Sequence, residues 1–383
     1  MIQKIIVIAV VAVLIVGGIG FAAYKLTSDD DKKGDRTVTD IRGREVTIPN
    51  EVNKVVCVSA GALRMVSYFD IDRVVGVDSF DAKASGPIAN YNLATYRVAY
   101  GDKIKDMTNV GGASSFKEMT DTGADVIFTT TEGVETLNNI QEKTGIPVIG
   151  LRAEVYFDLD SFNTFSEQMK LIGEVLGMED RADELVNGIS ALFTELENYK
   201  LSAPMPAPDD PTVKDRYAYV CGLMTGMNGN FYKTTGHFLP FSDTVALNIA
   251  PNVNNEPYII AEKDIIDQNP RYIFVDIANY NSSVTTMKNN SATIGGVSAV
   301  VNEKVYALLP YKFYNTNYEN ELIDCFIVGS IILPSVYNYD LTKKANEIFD
   351  LFYPGAGLTL AKYTTALGHD IGKIPATDYK PAA

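Results

Sequence analysis

Short apolar runs alternate with stretches whose apolar residues recur every three or four positions. "KVVCVS" (54–59), "RVVGVD" (73–78), "DVIFTT" (125–130) and "PVIGL" (147–151) read as buried strands. "ALRMVSYF", "SSFKEMTDTG" and "GVETLNNIQEKTG" lie between them and read as helices. This alternation predicts a parallel sheet covered by helices. Ahead of it, "TVTDIRGREVTIP" holds two β-rich runs around Arg42-Gly43-Arg44, a hairpin by its turn chemistry.

Residues 158–200 keep apolar positions at helical spacing, and Gly177 followed by "MEDRADEL" divides them into two helices. Beyond a Pro-rich loop, "LSAPMPAPDDPTVKD", the alternation starts again with "RYAYVCGL" (216–223), "YIIA" (258–261), "RYIFVDI" (271–277) and "KVYALLP" (304–310). The helix "DLTKKANEIFDLFYP" and a polar tail follow. The expected organisation is an α/β lobe over 37–157, a linking helix over 158–178 and a second α/β lobe over 179–383.

At the other end, "IIVIAVVAVLIVGGIGFAAY" (5–24) is an uncharged run long enough for a bilayer-spanning helix. No Cys follows it to carry a lipid, and its small-residue cleavage pattern is weak, so an uncleaved anchor over 1–25 is expected in preference to a cleaved signal. "KLTSDDDKKGDR" makes 26–36 a flexible tether. The main domain is then placed outside the cytoplasm, anchored to the cell membrane.

Composition narrows the chemistry. The net charge of -15, from 48 acidic and 33 basic side chains in 383 residues, argues against nucleic acid as a partner. With His237 and His369 alone, no site of several imidazoles can form, and none of the usual catalytic motifs is present: no phosphate loop, zinc helix, G-x-S-x-G elbow or Ser-His-Asp order. An enzyme is not expected, nor a cofactor. Cys57, Cys221 and Cys325 each sit in an apolar run and read as buried thiols.

The order of phrases resembles the class III substrate-binding proteins of ABC importers, the group that takes iron-siderophores, haem and vitamin B12. "TVTDIRGREVTIPNEVNKVVCVS" is similar to that family's opening hairpin and first strand, "VGGASSFKEMTDTGADVIFTT" to its segment leading into a buried strand, and "DLDSFNTFSEQMKLIGEVLGMEDRADEL" to its interdomain helix. The resemblance covers about residues 36–355. It implies two parallel-sheet α/β lobes joined by one long interdomain helix, with a ligand in the cleft between them and a permease with its ATPase as partner. Where the family carries a surface Glu for docking, this chain has Arg64; in the second lobe Asp243 is the docking candidate.

Cleft residues should follow the carboxyl ends of the strands. In the first lobe these are Ser59, Gly61, Asp78, Gly111, Gly112, Thr130, Glu132 and Arg152, with Arg64 on the first helix. Thr131 reads equally well as a helix cap, and Arg152 and Arg64 as ion-pair partners. "NFYKTTGHFLPFSDTVALNIAPNV" resembles a family stretch near the cleft, which brings in Thr235, Gly236 and His237. Tyr280 follows another strand, and Asn281 and Asn289 match the glycosylation pattern. After "KVYALLP", Tyr311, Tyr314, Asn315 and Asn317 form a Tyr/Asn-rich loop suited to flat ligands, and the apolar remainder from Cys325 reads as a core helix. The expectation is a solute receptor for a metal chelate, either an iron chelate or a metal tetrapyrrole (siderophore, haem or corrinoid). The alternatives are an exported enzyme acting on a chelate, and a surface sensor or adhesion protein with the same fold.

Overall fold

The computed structural model describes residues 34–82, 91–153, 162–223, 229–253 and 256–381. The expected anchor, most of the tether and residues 158–161 of the expected linking helix lie outside them. Among the described residues no helix is long and apolar enough to cross a membrane.

The opening hairpin forms as its alternation predicts, with β1 (Asp35–Thr39) antiparallel to β2 (Glu45–Pro49). Next come β3 (Val55–Val58), β4 (Val74–Val77), β5 (Thr108–Asn109), β6 (Val126–Thr129) and β7 (Val148–Gly150). They make a parallel sheet in the order β5-β4-β3-β6-β7. Every residue of β3 and β6 is buried, as expected of central strands with both faces covered.

The second lobe holds β8 (Tyr217–Cys221), β9 (Lys233–Thr234), β10 (Leu247–Asn248), β11 (Tyr258–Ile259), β12 (Tyr272–Asp276), β13 (Val305–Leu308) and β14 (Gly372–Lys373). Its main sheet runs β10-β8-β12-β13-β14, parallel except for β14. Two expectations change here. "YIIA" pairs with β9 in a separate two-stranded ribbon, and the polar tail is folded, contributing the edge strand β14 and the helices Leu360–Leu367 and Ala376–Tyr379.

Gly177, at φ +64°, ends the helix Phe162–Leu176, and the helix Glu179–Ser202 begins two residues later. The first of these is tied to the amino-terminal lobe, since Arg36 Nη2 donates to the carbonyls of Glu174 (2.7 Å) and Val175 (3.0 Å). The second runs from Arg181, whose Nε donates to the Tyr68 carbonyl at 2.9 Å, to Lys200, whose Nζ reaches the Ser242 carbonyl at 2.6 Å. Its 24 residues span about 36 Å at 1.5 Å per residue. The helix Glu179–Ser202 therefore touches both lobes, as does Phe162–Leu176, whose Phe165 meets Tyr318 at 5.0 Å.

These helices are not the sole connection. One apolar cluster continues from Val55 and Phe128 of the first lobe to Leu308, Phe326 and Tyr363 of the second. The helix Leu341–Phe352 comes back to the first lobe, where Phe352 meets Tyr68 edge-on at 5.0 Å. A shared core of this kind holds two lobes in one arrangement far more firmly than a flexible hinge would.

Candidate functional site

Ser59, Asp78 and Thr130 follow β3, β4 and β6 at their carboxyl ends, and Asp78 organises the group. Its Oδ1 accepts the N–H groups of Phe80 (2.9 Å) and Asp81 (3.0 Å), and its Oδ2 accepts the Ser59 N–H at 2.9 Å. The Ser59 hydroxyl lies 2.9 Å from that of Thr131 and 3.3 Å from that of Thr129, and the Thr130 hydroxyl donates to the Ala60 carbonyl at 2.9 Å. Thr131 is thus not the helix cap. Gly133 holds that position, with no side-chain cap bond. Gly111, at φ +81°, borders the same turn, because its carbonyl accepts the Ser79 N–H at 2.6 Å. Gly112 donates its N–H to Ser115 Oγ at 3.1 Å.

From the other lobe, the segment after β13 reaches across to these strand ends. The Tyr314 hydroxyl donates to Asp78 Oδ2 at 2.6 Å, and its ring lies 3.9 Å from that of Phe80. Burial, and then the charge and hydrogen bond of Asp78, push the Tyr314 phenol well above its ordinary pKa, so it remains a donor. Tyr314 and Asn315 have φ of +50° and +92°, in the left-handed region that non-glycine residues rarely adopt. Gly61, at φ +89°, faces Asn315 so closely that a Cβ there would stand 2.3 Å from Asn315 Nδ2. Residues 59–61 and 314–315 therefore fit each other through backbone shape.

Arg64 corrects one expectation. It is fully buried, so it is not a free guanidinium for a ligand in this conformation, and it stands instead as an ion-pair partner, the other reading given for it. Its Nη2 donates to the carbonyls of Phe313 (2.9 Å) and Asn315 (3.3 Å), its Nη1 donates to Asn317 Oδ1, and Glu319 Oε1 lies 3.5 Å away. Glu319 also accepts the hydroxyls of Tyr68 (3.0 Å) and Tyr353 (2.8 Å). Burial works against the Arg64 charge, but Glu319 and the surrounding tyrosines outweigh it, so the guanidinium pKa stands above its ordinary value. Asn317 is fully buried as well, and its Nδ2 donates to the carbonyls of Leu93 (2.9 Å) and Pro310 (2.7 Å). The wall expected from Tyr311, Tyr314, Asn315 and Asn317 is thereby reduced to the half-buried Tyr311 and Tyr314.

A second buried pair, absent from the sequence reading, stands beside the first. Arg97 Nη2 meets Asp81 Oδ1 at 2.7 Å, and the Tyr96 hydroxyl donates to the same oxygen at 2.6 Å. The guanidinium is enclosed by the rings of Tyr91 (4.5 Å) and Phe80 (4.8 Å), with Tyr314 at 5.7 Å. Burial pushes the Asp81 carboxyl up, and Arg97 opposes that rise. "ATYRVAY", a lone cation between aromatic residues, was the available signal.

The remaining candidates are dispersed. Glu132 projects into solvent, 3.7 Å from Arg42, and Arg152 is exposed, with its N–H donating to Gln168 Oε1 at 2.7 Å. Thr235 and His237 form a group in the second lobe: Thr235 Oγ1 accepts the His237 N–H at 3.2 Å, and His237 Nε2 lies 2.8 Å from Asn252 Nδ2. Tyr311 connects with this group through Phe238, ring to ring at 5.9 Å. Tyr280 is elsewhere, its hydroxyl on Asp378 at 2.6 Å and its ring stacked on His369 at 4.2 Å. Asp243 is half-buried and accepts the Ser242 hydroxyl at 3.3 Å. Among the described residues no three His, Cys, Asp or Glu side chains gather as a metal site, and the three cysteines are buried and free.

The root of the crossing segment rests on two buried acids of its own lobe. Asp276, at the end of β12, accepts the N–H groups of Tyr311 (3.0 Å) and Ala278 (2.7 Å), and Asp324 accepts that of Leu309 (3.1 Å). Burial pushes Asp276 up to about 7 against the pull of those two N–H groups. It raises Asp324 also, aided by Asp276 and Glu321.

No protein-family model and no curated protein matches the sequence. Solved structures do match in fold. A periplasmic solute-binding protein from Veillonella parvula superposes with a TM-score of 0.64 at 18% identity, over 88% of this chain and 97% of its own. The periplasmic molybdate-binding protein MolA of a Haemophilus influenzae ABC transporter gives 0.63 at 19%, over 85% and 100%. CeuE from Helicobacter pylori, with Ni(II) bound, gives 0.58 at 13%, over 86% and 99%. The fold is that of ABC-importer solute-binding proteins, as the class III resemblance implies.

Proposed function

We propose that this protein is the extracytoplasmic solute receptor of an ABC importer, capturing a small ligand between its lobes and handing it to a membrane permease. The observation that carries the reading is the meeting of strand ends: Ser59, Asp78 and Thr129 from one parallel sheet confront the segment that leaves β13 of the other. In α/β sheets, ligands collect at the carboxyl ends of the strands. The fold agrees, since the similar structures are binding proteins rather than enzymes.

The cargo we favour contains a metal, as an iron chelate or a metal tetrapyrrole. Molybdate and Ni(II) accompany two of the similar proteins, and the aromatic surfaces of Tyr311 and Phe80 suit a flat chelate. Thr235 and His237 would serve the second-lobe side of the cleft and Asp243 the permease, with residues 5–24 as the anchor. With Arg64 enclosed, docking would use other charges in the first lobe. A melting-shift screen of the anchor-free domain against iron(III) siderophores, haem and a corrinoid tests the reading. Stabilisation by one class at micromolar concentration is expected; no shift with any class would count against a chelate receptor.

A further inference from the structure

Tyr314 stands where a ligand would be expected to stand. It comes from one lobe and puts a planar ring on Phe80 and a hydroxyl on Asp78, both of the other lobe. The placement carries evident costs. Tyr314 and Asn315 occupy left-handed backbone, and Asn315 Nδ2 is buried with no hydrogen-bond partner. Ser59, whose N–H shares Asp78 Oδ2 with Tyr314, is also left-handed at φ +76°. Asn269 and Glu303 are the other non-glycine residues of positive φ in the described chain, so three of five gather at this contact. The base of the segment has no residue of positive φ, and although Arg64 Nε there is buried without a partner, Asn317 and Glu319 are fully buried and paired.

We propose that the Tyr314 side chain is a built-in occupant of the ligand site, displaced when the cargo brings its own planar, hydroxyl-bearing group to Phe80 and Asp78. This rests on the receptor reading and adds a ligand chemistry to it: one flat ring with a donor that Asp78 accepts. Because Tyr314 is half-buried, its side chain can swing away while Arg64 keeps the backbone of Phe313 and Asn315 in place. The seated phenol competes with cargo, so the site's apparent affinity falls by the fraction of time it is filled.

Catechol is the simplest probe with this chemistry, and 1,2-cyclohexanediol is its non-planar control. Titration calorimetry on the purified chain should show Tyr314→Ala binding catechol about tenfold more tightly than the parent, with no such gain for the diol. Adding Asp78→Asn to Tyr314→Ala should abolish the gain. Tyr314→Phe keeps the ring packing and frees only Asp78, and should gain about threefold, which preserves the test if the alanine variant misfolds. Equal or weaker catechol binding by the folded variants would overturn the proposal, as would an equal gain for the diol. A cargo found on the unmodified protein would leave the receptor reading intact in that event, so the two failures can be told apart.

Discussion

The tip and the base of the segment 310–320 are pressed against the same lobe and are built in opposite ways. At the base, Asn317, Glu319 and Asn320 are without exposure and fully engaged: Asn320 Nδ2 donates to the Pro310 carbonyl at 2.9 Å and lies 3.2 Å from the Tyr363 hydroxyl. At the tip, Tyr314 and Asn315 accept left-handed backbone and an unsatisfied amide. The base fixes how the lobes sit together, and the tip is where a change costs least. A receptor with a shared core has to admit its ligand through such local rearrangement, because opening the lobes would expose the apolar cluster that joins them.

The largest effect should come from the base. Glu319→Leu leaves Arg64 charged, buried and unpaired, and should lower unfolding stability in urea by about 3–5 kcal/mol. The double variant Arg64→Met, Glu319→Leu should recover most of that loss, because neither charge then needs a partner. A double variant as weak as the single one would remove the ion pair from this account.

At the root, the test is pH. Asp276 has a carboxylate range near 3.8 when unfolded and is pushed up to about 7 when folded, so the folded state holds the proton longer. Its contribution is complete below about pH 4, declines as pH rises and is gone above about 7, a loss of order 1–4 kcal/mol. Asp276→Asn should flatten that part of the stability profile measured by urea unfolding between pH 4 and 7.5. An unchanged slope would mean that Asp276 is not the group responsible.

The tip should respond more weakly. Gly61→Ala forces a Cβ against Asn315 in left-handed backbone and should cost about 1–3 kcal/mol. Tyr314→Phe, which removes one hydrogen bond at a half-buried position, should cost about 0.5–1.5 kcal/mol in the same urea unfolding experiment. If Tyr314→Phe is as damaging as Glu319→Leu, the distinction between tip and base fails.

Much of the architecture is legible in the sequence because Val/Ile runs announce central strands and Gly177 announces a helix break. The short edge strands β5, β10 and β14 carry two residues each and leave no periodicity to read. Of the candidate site, Ser59, Gly61 and Tyr314 were reachable because strand ends can be located. The buried partners of Arg64 were not, since Arg64 and Asn317 are 253 positions apart. One signal was available: "YENELIDCFIVGSII" forms a helix apolar on every side, so Glu319 and Asp324 within it had to be buried and required partners. Tyr280 followed a strand as the rule demands, yet the folded tail claimed it through His369 and Asp378.

Native mass spectrometry of the protein isolated from its own source tests the receptor reading most directly. The account predicts a single small molecule bound one to one, released when the lobes unfold and containing a planar ring with hydroxyl groups. A protein that emerges empty, and remains empty after incubation with extract of the same cells, would contradict it.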